Sequence, residues 1–299
     1  MSASIMPLVS VIIPTYNHAH FLGRALQSVI DQTYLNWEAI VIDNHSTDNT
    51  DEVLRYFTDE RIKIFKIQNN GVIAASRNMG ILAAKGELIA FLDSDDWWVP
   101  SKLLRCIQLF DDSVDIVYHH LYVKRSYKHT RFNQRIVSSK PTSPVFLGLL
   151  ANGMSIPNSS VLVRKDLLIR IGGISESLDL ISVEDYDTWI RLSKLTERFI
   201  CIPEFLGYYW GGGGNISAAS PIQVTRITTL YSQYIDELQE KDRLRAEYLL
   251  NYRIARIQHL YGSHKEAREK YLKSICSSLA FVYRVKACYF YICSILSAK

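Results

Sequence analysis

Leu88-Ile89-Ala90-Phe91-Leu92-Asp93-Ser94-Asp95-Asp96 sets five consecutive apolar residues against three carboxylates in the next four positions. A short apolar run closed by polar residues is the pattern of a strand buried on both faces, as in a parallel sheet. Upstream, Val9-Ser10-Val11-Ile12-Ile13 is a similar run stopped by Pro14, and Ala39-Ile40-Val41-Ile42 ends at Asp43. Ile62-Lys63-Ile64-Phe65 is a more polar run that suits a sheet edge. Between them, Phe21, Leu22, Ala25, Leu26, Val29 and Ile30 recur at helical spacing, and Thr50 to Phe57 predicts a second helix. Gly71 to Lys85 predicts a third, with Gly86 as its C-terminal stop. This β-α-β-α-β-α-β order implies an α/β fold: a mostly parallel sheet with helices on both faces. Ligands of such sheets bind beyond the carboxyl ends of the strands. Here those ends carry Pro14-Thr15-Tyr16-Asn17, Asp43-Asn44-His45-Ser46 and Asp93-Ser94-Asp95-Asp96, so three polar loops converge on one predicted crevice.

The acidic triplet admits two readings. Crowded carboxylates raise one another's pKa unless a cation offsets their charge, and Mg²⁺ or Mn²⁺ commonly bridges carboxylates to phosphates. The alternative is a solvated acidic turn capping a helix that starts near Pro100; delivery by a buried strand favours metal binding. Glu184-Asp185-Tyr186-Asp187 opens another predicted helix, running to Leu195. On spacing alone these carboxylates are helix caps; their position far downstream also suits a general base. The run Gly211 to Gly214 reads equally as a phosphate-approaching loop or a hinge, and lacks the spacing of a P-loop. Lys124 to Phe132 interleaves bases with aromatics but is short and isolated, which argues for a surface loop and against nucleic acid. Trp97 and Trp98 suit either a sugar platform or the core.

The chain has 299 residues, 48% hydrophobic and 21% charged, an ordinary globular balance. Its net charge of +4 is uneven: residues 220–299 hold 13 Lys/Arg against 7 Asp/Glu, whereas the rest is slightly acidic. A basic tail suits a phospholipid surface or a solvated helical face. Strands are expected near Ile116–Tyr122 and Ser160–Arg164, and helices after Gly211, with Tyr248–Ile275 resembling one tetratricopeptide-like hairpin broken at Gly262. The apolar segment Ser277–Leu296 is interrupted by Arg284 and Lys286, so it is expected to lie in a membrane interface rather than cross it. Five scattered cysteines form no CxxC pair, and no signal-peptide pattern precedes Leu8; both point to the cytoplasm.

The order of motifs resembles the family 2 glycosyltransferases. The matching pieces are Val11 to Asn17, Val41 to Asp48, Ala74 to Gly80, Gly86 to Asp96, Gly172-Gly173, and Glu184 to Trp189, spread over about residues 8–217. The resemblance implies a GT-A fold, Rossmann-like, with a C-terminal helical appendage. It implies domains at 1–217 (nucleotide half 8–112, acceptor half 113–217) and 218–299. By position, Pro14, Tyr16, Asp43, Asn44, Arg77 and Ser94 would line the donor pocket, with Asp93 meeting ribose or metal. Asp95 would ligate a divalent cation, Mn²⁺ or Mg²⁺. Asp185 would be the base, with Glu184 orienting it or the acceptor. The implied reaction is inverting transfer from a nucleotide-sugar, read as UDP-linked, to a glycan or lipid-linked acceptor in bacterial polysaccharide or lipopolysaccharide assembly, in the cytoplasm or peripheral at the inner membrane. Two positions depart from the family: Asn44 stands where a second Asp is frequent, and Tyr208 to Ser217 lacks a frequent His. Competing classes are a nucleotidyltransferase, disfavoured because no basic Gly-rich loop follows the first strand, and a non-catalytic sugar-nucleotide-binding module.

Overall fold

The computed structural model of the chain describes residues 6–126, 134–213 and 218–296. In chain order its first elements are β1 (Val9–Thr15), α1 (Ala19–Ile30), β2 (Trp37–Asp43), α2 (Thr50–Arg55), β3 (Ile62–Lys66), α3 (Ile73–Ala83), β4 (Leu88–Phe91), β5 (Trp97–Trp98) and α4 (Lys102–Ile107). Next come β6 (Ile116–Lys124), β7 (Gln134–Ile136), α5 (Val145–Leu150), β8 (Leu162–Arg164), α6 (Lys165–Arg170), α7 (Glu184–Ser193) and β9 (Phe199–Trp210). The last are α8 (Pro221–Ser232), α9 (Glu240–Leu260), α10 (His264–Ile275) and α11 (Phe281–Leu296). The chain divides into two compact units, residues 1–141, 155–176 and 191–213, and residues 142–154, 177–190 and 214–299.

The first unit holds one sheet in the order β3-β2-β1-β4-β8-β6-β9-β5, with β7 beside β6. The pairs β1–β2, β1–β4 and β2–β3 are parallel, as the alternating pattern predicts, and β3 is the edge. Antiparallel β8 then joins β4 to β6, and β6 runs parallel to β9. Odd-numbered Val9, Val11 and Ile13 pack with Leu22, Ala25, Leu26 and Val29 of α1. Even-numbered Ile12 meets α3 so closely that a Cβ on Gly80 would fall 2.6 Å from it. Helices therefore cover both faces, which is why successive strand positions are apolar. Each fully buried Leu, Ile or Val contributes about 1.5–3 kcal/mol of transfer free energy.

Two local expectations are corrected. Pro14 does not stop the first strand, which continues to Thr15. The backbone of Ile12 faces β4, since its carbonyl accepts from Leu92 N–H; Pro14, two residues on, faces the same side. The β4 ladder has ended at Phe91 by then, so the N–H that proline lacks has no ladder partner to lose. Gly86 is not a helix stop: α3 ends at Ala83, and the next residue, Ala84, is already extended. A Cβ at Gly86 would lie 2.5 Å from the Leu8 carbonyl and 2.7 Å from Ser10 Oγ. Ser10 Oγ accepts from Gly86 N–H and donates to Glu38, which also accepts from Lys85 N–H. Close approach of two backbones, not handedness, is what requires glycine there. The other boundaries shift by a turn or less: α2 ends at Arg55, α7 at Ser193, and β8 starts at Leu162 after a 3-10 turn at Asn158–Ser160.

In the second unit, α9 and α10 form the expected hairpin, broken at Gly262 with φ +92°. Leu249, Tyr252, Ala255, Ala267, Tyr271, Leu279 and Ala287 share a core. Arg253 donates to the Tyr186 hydroxyl at 2.8 Å, and Tyr186 donates to the Leu149 carbonyl, which fixes α7 against α5 and α9. Among the described residues no helix is long and apolar enough to cross a membrane.

Gly86→Ala should lower the unfolding free energy by about 1–3 kcal/mol through overpacking, read by urea denaturation. Gly86→Asn should be at least as damaging. Tolerance of Asn alone would restore the helix-stop reading.

Candidate functional site

The carboxyl ends of β1, β2 and β4 are tied into one polar network. After β1, Asn17 takes a left-handed φ of +51°; its N–H donates to Ser46 Oγ, and its side-chain oxygen accepts from Thr47 N–H. Asn44 N–H donates to the Thr15 carbonyl, and Asn44 Oδ1 accepts from Asn69 N–H at 2.8 Å. Asp48 in the same loop caps two helices, accepting from Ala19 N–H at the start of α1 and from Thr50 at the start of α2. Burial works against its charge, but these hydrogen bonds outweigh it and hold its pKa below the ordinary value.

Asp43 is fully buried. Its Oδ1 accepts from the Ser46 N–H and hydroxyl. Its Oδ2 has no hydrogen-bond partner among the described residues, and Lys66 Nζ stands 3.6 Å away. Thr15 Oγ1 is likewise buried without a partner there. Buried acceptors of this kind are costly unless a ligand supplies donors. Pro14 is buried within β1, and Tyr16 is exposed at the rim.

The acidic loop after β4 is held from several sides. Buried Arg77 of α3 donates to Asp93 Oδ1 at 2.7 Å, and Asn158 Nδ2 reaches the same oxygen at 3.3 Å. Ser159 Oγ accepts from Asp93 N–H and also hydrogen-bonds the Asp96 carboxyl. Asp96 is buried and accepts from Trp210 N–H at 2.8 Å. Ser94 Oγ lies 2.9 Å from His18 Nδ1; burial, then His20, lowers the His18 pKa despite Asp48 and Asp93. Arg24 of α1 donates to the Asp95 carbonyl, and its guanidinium stacks 3.5 Å over Trp97. Trp97 stacks in turn on Tyr208, whereas Trp98 is buried and donates to the Ser159 carbonyl. Both tryptophans thus buttress the loop.

The three carboxyls are unequally served. Asp96 is pushed well above the carboxylate range by complete burial, then by Asp95 and Asp93. Asp95 is pushed up to about 7 by burial, then by the charge of Asp93. The charges of Arg24 and Arg77 pull the other way without cancelling these two effects. Among the described residues no three His, Cys, Asp or Glu side chains form a ready metal cage. A carboxylate raised by burial and a neighbouring negative charge is nevertheless one that a divalent cation would return to its charged form. The donor set therefore fits a hard cation whose remaining ligands come from a phosphate or water.

Glu184 and Asp185 open α7 in the second unit. Glu184 is buried, and Asp185 is half-buried with Oδ1 accepting from Tyr186 N–H. Asp187 is buried and accepts from the Tyr234 hydroxyl. Gly214–Ser217 and Tyr127–Phe132 lie outside the described residues, so the ends of the glycine run and of the basic segment do too. His18, Arg24, Asn158 and Ser159 support the loop without having been singled out in the sequence. Only His18, next to Asn17, carried a local signal; Asn158 and Ser159 arrive from more than sixty residues downstream.

The family described as glycosyl transferase family 2 matches residues 10–172. An Escherichia coli protein named UDP-Glc:alpha-D-GlcNAc-diphosphoundecaprenol beta-1,3-glucosyltransferase WfgD is 28% identical over 273 residues, covering 88% of this chain and 98% of its own. WfaP of Escherichia coli, named for the same reaction, is 33% identical over 188 residues, covering 62% of this chain and 70% of its own. The mannosyltransferase PcManGT of Pyrobaculum calidifontis, solved with GDP-Man and Mn²⁺, superposes with a TM-score of 0.65 at 18% identity, covering 99% of this chain and 86% of that one.

Metal-free protein offers a direct check on the acidic loop. The Asp95 pKa, raised to about 7 from 3.8, makes its burial cost absent below pH 3.8, rising through that window and complete above about 7. Asp95→Asn should therefore be more stable than wild type at pH 8, by up to about 4 kcal/mol, with the gap closing toward pH 4. A gap that is flat with pH in urea unfolding with chelator would contradict the raised pKa.

Proposed function

This chain belongs to glycosyl transferase family 2 and is a glycosyltransferase of GT-A fold, and from that premise we propose that it transfers a hexose from a UDP-sugar to a hydroxyl of a lipid-linked saccharide, with inversion, in bacterial polysaccharide assembly. The observation that carries the proposal is the acidic loop: Asp95, pushed up to about 7 beside Asp93, at the carboxyl end of a parallel strand. A diphosphate donor with its counter-cation suits that position.

Asp95 and Asp93 would hold Mn²⁺ or Mg²⁺, which when bound offsets the charge on the departing diphosphate. Asp43 Oδ2 and Asn44 would meet the nucleobase: a buried acceptor with no hydrogen bond, and Lys66 only at 3.6 Å, suits a ring N–H of uracil. Arg77 would orient Asp93 through its 2.7 Å bond. Pro14, Tyr16 and Ser94 would line the same pocket. UDP is favoured over GDP by the names of WfgD and WfaP, although the PcManGT structure holds GDP-Man. The same two names supply the acceptor, a GlcNAc-diphosphoundecaprenol, and a β-linked product. Because UDP-glucose is α-linked, a β product requires a single displacement.

In that displacement Asp185 takes the proton of the acceptor hydroxyl as its oxygen attacks the anomeric carbon, with Glu184 orienting base or acceptor. A lipid-linked acceptor places the work at a membrane surface. Asp185→Asn should lose about 10²–10⁴-fold in kcat, the usual size of a general-base effect, while UDP affinity by calorimetry stays within about twofold. Retained turnover would overturn the assignment of the base. Binding of UDP-sugar with no turnover by the wild type on any saccharide lipid would favour a binding module instead.

A further inference from the structure

α11 has two dissimilar faces. On one, Ala287 and Ser294 are buried, and Tyr283, Phe290 and Tyr291 pack on the core of α9 and α10. On the other, Phe281 is 73% exposed, Tyr289 61%, Ile292 56% and Leu296 67%, with Val285 also exposed. The spacing 281, 285, 289, 292, 296 places these five in one stripe. At about 100° of rotation per residue, Arg284 and Lys286 lie at the two edges of that stripe, each about 100° from its centre. Both are exposed. From Lys270 to the last residue the chain contains no Asp or Glu, but has Lys270, Lys273, Arg284, Lys286 and Lys299.

We propose that the exposed stripe of α11 is a membrane-docking surface that lies in the interface of an anionic phospholipid bilayer. The juxtaposition that carries it is an apolar stripe bordered on both sides by cations in an acid-free segment. Apolar side chains enter the acyl boundary while Arg284 and Lys286 stay with the headgroup phosphates. An apolar stripe with cations along both edges is the arrangement of a helix that lies along the surface. A second copy of the chain is disfavoured as the occupant. A two-fold contact through this stripe would bring the Arg284 and Lys286 edges of both copies together with no acid in the helix to pair them. The biological sense of the surface rests on the proposed lipid-linked acceptor, but its existence does not.

The test is flotation of the full chain with vesicles of phosphatidylglycerol and phosphatidylcholine, and with phosphatidylcholine alone. Wild type should float with the anionic vesicles and much less with the neutral ones. Phe281→Glu/Ile292→Glu, both at exposed positions, should lose binding at least tenfold with an unchanged melting temperature. Arg284→Gln and Lys286→Gln should each weaken binding about fivefold, and raised salt should do the same. Wild type that fails to float, or a double variant that floats equally, overturns the proposal. So does a wild type that sediments as a dimer and a double variant that sediments as a monomer, which would assign the stripe to a second copy. Turnover on a water-soluble saccharide acceptor is measured in parallel; its absence would count against the transfer reading and leave the flotation result standing.

Discussion

Three carboxyl groups within four residues, at the end of a buried strand, cannot all be charged in a low-dielectric setting without compensation. The first unit meets that constraint group by group. Asp93 is neutralised by Arg77 and steadied by Asn158. Asp96 is hydrogen-bonded by Trp210 N–H and Ser159. At Asp95, burial and the neighbouring charge of Asp93 outweigh the help of Arg24 and Arg77. This unequal treatment separates a carboxyl that holds structure from one that is suited to a cation brought with a substrate. The surrounding contacts serve the same end: Arg24 pins the Asp95 carbonyl and Trp98 pins the 3-10 turn that carries Ser159.

The sheet makes that loop possible. Glycines at Gly80 and Gly86 let α3 and the turn after it press against β1, so β4 leaves the sheet in a fixed register beside β1. Asp48 caps α1 and α2 together, and Asn17 ties the loops after β1 and β2. Three strand ends are thereby held together, with the Asp43 carboxylate buried among them.

Much of this first unit was legible in sequence because its signals are local. Apolar runs gave β1 to β4, helical spacing gave α1 and α3, and Asp43, Asn44 and Asp93 to Asp95 sit where strands end, while Arg77 lies inside α3. Long-range facts were not legible. Nothing in Pro14 tells which side of β1 it faces, or that β4 stops two residues short of it. Gly86 looks like a helix stop because the signal for a cap and the signal for close backbone approach are the same residue. Asn158 and Ser159 carry no local mark at all; only the pairing of β8 with β4 brings their turn to the acidic loop. The antiparallel placement of β8 and the β5–β9 pair likewise depend on residues far apart in the chain.

In the proposed donor site the acidic loop would hold a cation weakly by itself and more tightly with a diphosphate, whose oxygens would complete the ligand set. Such binding is reciprocal: the donor must raise metal affinity as much as the metal raises donor affinity. The direct measurement is free Mn²⁺ by electron paramagnetic resonance during titration of the protein with and without UDP. The account predicts weak Mn²⁺ binding alone, binding at least tenfold tighter with UDP, and loss of that gain in Asp95→Asn. Equal Mn²⁺ affinity with and without UDP, or a gain that survives in Asp95→Asn, would contradict it.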